Sequence, residues 1–220
     1  MRLRLNRFAV RWTLVFLISA ALVTGCYRYV DVPLAQWAHH HQLRQYGLFH
    51  GLQALADGLV LLAPVALLAV GWRRVRGRTV LGDRRALQAA LSVLAVSLLK
   101  YPLKWAFGRT WPATFYQNNP SLLQDGVYGF HPFQGGVAYS AFPSGHAAVV
   151  AAVATVLWIY SPRYRLLGVG LWLVVTVGLL GAYYPFAGDV LAGTLLGVFV
   201  ASLVLRFDVR ALEPRPPHCD

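Results

Sequence analysis

Long apolar runs separated by clusters of arginine or by turn-forming residues set the pattern of this chain. Six of them, at about 12–30, 52–72, 86–103, 145–161, 166–184 and 188–205, approach the ~20 residues that a bilayer-crossing helix needs. Each is apolar around its whole circumference, as a helix embedded in lipid must be. The pattern predicts an all-α, polytopic membrane helix bundle with about six transmembrane helices. It divides the chain into an N-terminal span with an interfacial segment (1–51), a helical membrane core (52–205) and a cytoplasmic tail (206–220).

The arginines orient these spans. With the N-terminus in the cytoplasm, fifteen of the twenty basic residues fall inside and five outside: Arg28, Arg44, Lys100, Lys104 and Arg109. That asymmetry follows the positive-inside rule, with both termini cytoplasmic. The cell membrane implied is a bacterial inner membrane, with the outer loops on its periplasmic face. The net charge of +12 therefore reports membrane topology and not a nucleic-acid partner. The composition, 57% hydrophobic and 13% charged, excludes a disordered chain, and two cysteines are too few for a disulfide framework. The stretch Val23-Thr24-Gly25-Cys26 resembles a lipoprotein cleavage site. The apolar run before it is longer than a signal h-region, which favours an uncleaved helix.

Two outer segments stand apart. Residues 31–51 are polar and aromatic and suit the membrane interface. Their run His39-His40-His41 fits solvated histidines better than a metal site, because adjacent side chains on a helix point in different directions. The loop from Thr110 to Phe142 is far longer than an ordinary connection, carries the single charge Asp125, and is rich in Gly, Pro, Asn and aromatic residues. It reads as an ordered lid, with an interfacial loop whose aromatics rest at headgroup level as the alternative.

Ionisable residues in or beside membrane spans are costly and mark function. Asp57, Lys100, Lys104, Arg109, His146 and Asp189 all fall at the outer end in this topology. Lys100 and Lys104 share a helix face if Pro102 leaves the helix intact, although Lys100 could equally snorkel to headgroups. Pro143-Ser144-Gly145-His146 opens the fourth span, where free backbone N–H groups and the helix dipole make an anion site. Ser144 adds a hydroxyl, and a capping box there lacks its Glu or Gln, since Ala147 occupies that position. His146 can protonate a leaving oxygen. Together with Lys104 and Arg109 these residues form a cradle for a phosphate group.

Lys104-Trp-Ala-Phe-Gly-Arg109-Thr-Trp-Pro112, Pro143-Ser-Gly-His146 and Asp189-Val-Leu-Ala-Gly193 resemble the three signature segments of the type 2 phosphatidic acid phosphatase family. These are membrane lipid phosphatases that share their site with vanadium haloperoxidases, and their patterns are KxxxxxxRP, PSGH and SRxxxxxHxxxD. The resemblance covers roughly residues 55–205. It implies a phosphorylated lipid, as ester or pyrophosphate, held by Lys104, Arg109, Ser144 and Gly145. It implies further that His146 protonates the leaving group and that Asp189 orients a nucleophilic histidine. No metal or other cofactor is called for, and the partners implied are the membrane and the lipid, not a nucleic acid.

The third pattern is degenerate. Counting from Asp189, the nucleophile falls at Pro185 and the SR arginine at Leu179; counting from Lys104, the RP arginine falls at Trp111. Proline carries no nucleophile, so the family's phosphohistidine route cannot run there. With that histidine gone, Asp189 reads equally well as a helix N-cap. His131 is the one other outer histidine near PSGH; it could enter the site as a replacement base or nucleophile, or simply be bonded within the loop. Two functions follow: a lipid phosphate phosphatase at the outer membrane face, or a catalytically impaired relative that binds a lipid phosphate or supports a partner protein.

Overall fold

The computed structural model describes residues 2–78, 80 and 82–206, with side chains from residue 9 onward. The described residues are helical throughout their regular structure. The helices are α1 (Arg2–Gly25), α2 (Asp31–His40), α3 (Gly47–Val75), α4 (Asp83–Phe107), the single-turn α5 (Leu122–Asp125), α6 (Gly145–Tyr160), α7 (Arg165–Gly181) and α8 (Ala187–Val204). Five stretches are long and apolar enough to cross a membrane: Ala9–His40, Gly47–Val75, Asp83–Phe107, Pro162–Gly181 and Ala187–Val204.

The fourth expected span, α6, is shorter. Its 16 residues extend about 24 Å, less than the ~30 Å of a bilayer core. Ala147 to Ala152 and Val156 are buried, and α6 packs on α8, α7, α4 and α3, while Trp158 and Ile159 near its C-terminal end are exposed.

The first expected span ends at residue 30, yet the helix runs on to His40. One π-helical turn, Cys26–Val30, joins α1 to α2 and turns Asp31 inward. Residues 31–40 are correspondingly more than an interfacial strip: Asp31, Ala35 and Ala38 are buried, and Ala38 clusters with Ala113 of the long loop and Tyr183. The expected tail beyond Arg206 lies outside the described residues.

Close backbone contact holds the centre. On α8, Gly193 and Gly197 are four apart, the small-residue spacing that lets membrane helices approach closely. A Cβ on Gly193 would lie 2.2 Å from the Ser144 carbonyl oxygen, and one on Gly197 would lie 2.1 Å from that of Ala148. The PSGH turn is thereby pinned to the first turns of α8. The long loop is ordered over this end. Asn119, buried, accepts from the amides of Phe115 and Tyr116, Ser121 caps α5, and Phe130 and Phe107 pack on Phe142.

Candidate functional site

The C-terminal end of α4, the N-terminal end of α6, the first half of α3, the long loop and the α7–α8 turn meet at one end of the bundle. They enclose a cavity of about 490 Å³. Lys100 and Lys104 of α4, Asp57 of α3, Ser144, Gly145 and His146 of the PSGH turn, and Tyr184 all line it. The α4 helix passes through Pro102 unbroken, so the two lysines do share a face.

The first turn of α6 borders this space. Ser144 is the N-cap: its Oγ accepts from the Ala147 amide at 3.4 Å, a plain cap without the reciprocal Glu. Its own amide donates to the Asp189 carbonyl at 3.0 Å, so it is spent on the α6–α8 junction. The amides of Gly145 and His146 make no hydrogen bond among the described residues and are the ones left for an anion. His146 Nε2 lies 3.0 Å from Asp57 Oδ1, a contact across 89 residues of sequence that the sequence pattern did not signal. Lys104 Nζ donates to the Ser140 carbonyl and sits 5.5 Å from the centre of the Trp111 ring. Burial, and after it the Asp57 carboxylate, raise the Tyr184 hydroxyl above its ordinary pKa, keeping it a neutral donor.

The two substituted motif positions, Trp111 and Pro185, both face the cavity.

Two other motif residues lie behind the cavity and not in it. Arg109 is fully buried, with one guanidinium nitrogen 2.6 Å from Asp31 Oδ2 and another 2.6 Å from Asp189 Oδ1. The Tyr128 hydroxyl accepts from Arg109 at 3.0 Å and donates to the Tyr27 carbonyl at 2.7 Å. Burial pushes that phenol's pKa up. The rings of Tyr27, Tyr128, Phe130 and Phe186 surround the guanidinium. Asp31, brought in by the π turn, is the partner that the sequence pattern could not supply. Asp189 spends its second oxygen on the Phe186 amide at 2.8 Å, capping α8. Arg109, expected in the phosphate cradle, is thus a buried tie between α2, the loop and α8.

His131 also stays out of the cavity. Its amide donates to the Gly108 carbonyl at 2.7 Å and its ring packs edge-on against Tyr139. Gly108 ends α4 at φ +57, and a Cβ there would fall 1.8 Å from the His131 carbonyl oxygen, so only glycine fits this crossing.

Residues 85–212 match the PAP2 superfamily model, and the chain belongs to that superfamily. Among its relatives, the lipid A 1-phosphatase of Rhizobium johnstonii is 35% identical over 114 residues, 51% of this chain and 43% of the relative. That of Rhizobium etli is 36% identical over 108 residues, 48% and 43% respectively. The chain spans less than half the length of either. The crystal structure of a transmembrane PAP2-type phosphatidylglycerolphosphate phosphatase from Bacillus subtilis shares the fold, with TM-score 0.55, 21% identity, and coverage of 91% of this chain and 96% of that one.

Proposed function

We propose that this chain is a lipid phosphate phosphatase-like membrane protein that seats the terminal phosphate of a lipid in the cavity described above. One observation carries the reading: Lys104, the Gly145 and His146 amides and the His146 ring converge on one space at one end of the bundle. Lys104, Ser144 and Gly145 form the phosphate cradle, and His146, held by Asp57, is the proton donor for the departing oxygen. Arg109 and Asp189 support this wall from behind. The names of the two Rhizobium relatives support a lipid phosphomonoester as the ligand.

In the orientation proposed, the bundle crosses a bacterial inner membrane six times, α6 included, with the cavity at the periplasmic face and both termini in the cytoplasm. Arg73, Arg74, Arg84, Arg85, Arg163 and Arg165 lie at the end of the bundle away from the cavity, which supports this orientation.

Pro185 favours a second reading, a relative that binds the phosphate without turning it over. The two are separated by release of inorganic phosphate from a lipid phosphomonoester by purified protein and by His146→Ala. Loss of a general acid costs about 10²–10⁴ in rate, so slow wild-type release should fall by at least about a hundredfold in the variant. Binding without release would establish the second reading, and failure to bind phosphate would overturn both.

A further inference from the structure

The RP arginine of the family pattern is Trp111 here, and Arg109 is spent on two buried carboxylates. A phosphate dianion in the cavity would face Lys104 as its one motif cation. The structure holds a second cation nearby. Lys100 lies one helical turn before Lys104 on α4 and lines the same cavity. Its stem runs over Gly145: a Cβ there would sit 3.0 Å from Lys100 Cδ and 3.5 Å from Lys100 Nζ. The ammonium is therefore close to the free amides that open α6.

We infer that Lys100 supplies the second positive charge of the phosphate site, in place of the arginine lost at position 111. The inference rests on the phosphate reading above and names a residue outside the family's patterns. Its physical basis is electrostatic. Among the described residues Lys100 Nζ makes no hydrogen bond or ion pair, and its one aromatic contact is the Tyr101 ring at 5.2 Å. It stands near a second ammonium and near the positive end of a helix dipole. Asp57, the carboxylate in this cavity, is engaged with His146. Like charges gathered in this way repel one another and cost stability until an anion enters between them. A phosphate group meets that need with three strong acceptor oxygens, whether it is free or attached to a lipid. Gly145 admits this geometry because any side chain there would press on the lysine stem. The alternative is that Lys100 only snorkels to headgroups, and then the anion would not feel its removal.

Calorimetric titration of the purified full chain tests this with three probes: inorganic phosphate, orthovanadate and a micelle-dispersed lipid phosphomonoester. Lys100→Gln should weaken all three by at least about tenfold, the worth of one charge-assisted contact. Lys100→Arg should hold them within about threefold, because charge and donors are kept. In a Trp111→Arg background the cost of Lys100→Gln should shrink, since the family's own cation is restored. Should Trp111→Arg fail to fold, the two single Lys100 variants still decide. Unchanged affinity in Lys100→Gln overturns the inference and leaves the phosphate reading standing. Loss for the lipid alone also overturns it, by placing Lys100 against the lipid and not the phosphate. Wild-type protein that binds none of the probes overturns the parent reading itself.

Discussion

Arg109 carries the clearest difference between motif and structure. In the sequence it stands five residues after Lys104 and close to a PSGH segment, a natural second cation for phosphate. In the fold its guanidinium is fully buried between Asp31 and Asp189. Removing one partner of a buried ion network leaves charges unpaired and costs about 3–5 kcal/mol. Arg109→Met should therefore lower the thermal midpoint by roughly 6–20 °C, at 2–4 °C per kcal/mol for a chain of this size. Phosphate affinity measured well below that midpoint should change little. A loss of affinity at unchanged midpoint would return Arg109 to the phosphate site. Such a pairing was not legible in advance, because Asp31 lies 78 residues away and its inward turn depends on the π-helical turn before it. Lys104, Ser144, Gly145 and His146 were legible because sequence-local constraints define them: a helix face, a proline-led helix start and an N-cap. His131 shows the limit of nearness in sequence, since its loop backbone is locked onto Gly108 and its ring turns to Tyr139.

Helix packing sets where those side chains point. The α6–α8 contact brings the Ser144 amide onto the Asp189 carbonyl and leaves no room for a Cβ at Gly193 or Gly197. Gly197→Ala must push the helices apart, at a typical overpacking cost of about 1–3 kcal/mol. Its thermal midpoint should drop by several degrees. Gly170→Ala on α7 is the matched control: nothing lies within 4 Å of a Cβ there, so the midpoint should stay or rise slightly. Equal effects in the two would mean that α6 and α8 do not meet closely. Among elements, apolar periodicity located α3, α4, α7 and α8 well, since lipid-facing helices advertise themselves by composition. It missed the run from α1 into α2, where polar residues continue a helix that the loop and Tyr183 cover. It also located α6, expected over 145–161 and observed over Gly145–Tyr160.

Taken together, the bundle has a basic end and an end that holds the cavity. A reporter that is active only in the periplasm, fused after Asp220, should be silent, and the same reporter inserted after Gln117 in the long loop should be active. The reverse pattern would put the cavity on the cytoplasmic side. Charge placement along the chain carried this expectation, whereas the cavity itself appeared only when five separated segments were brought to one end. The proposed function centres on one claim: an oxyanion would sit between α4 and the start of α6, with no covalent link at Pro185. Determining the structure with orthovanadate bound tests that claim most directly. Vanadate should be held by Lys100, Lys104 and the Gly145 and His146 amides, with His146 beside it and no bond to any side chain. Vanadate found against Arg109, or bonded to a protein side chain, would contradict it.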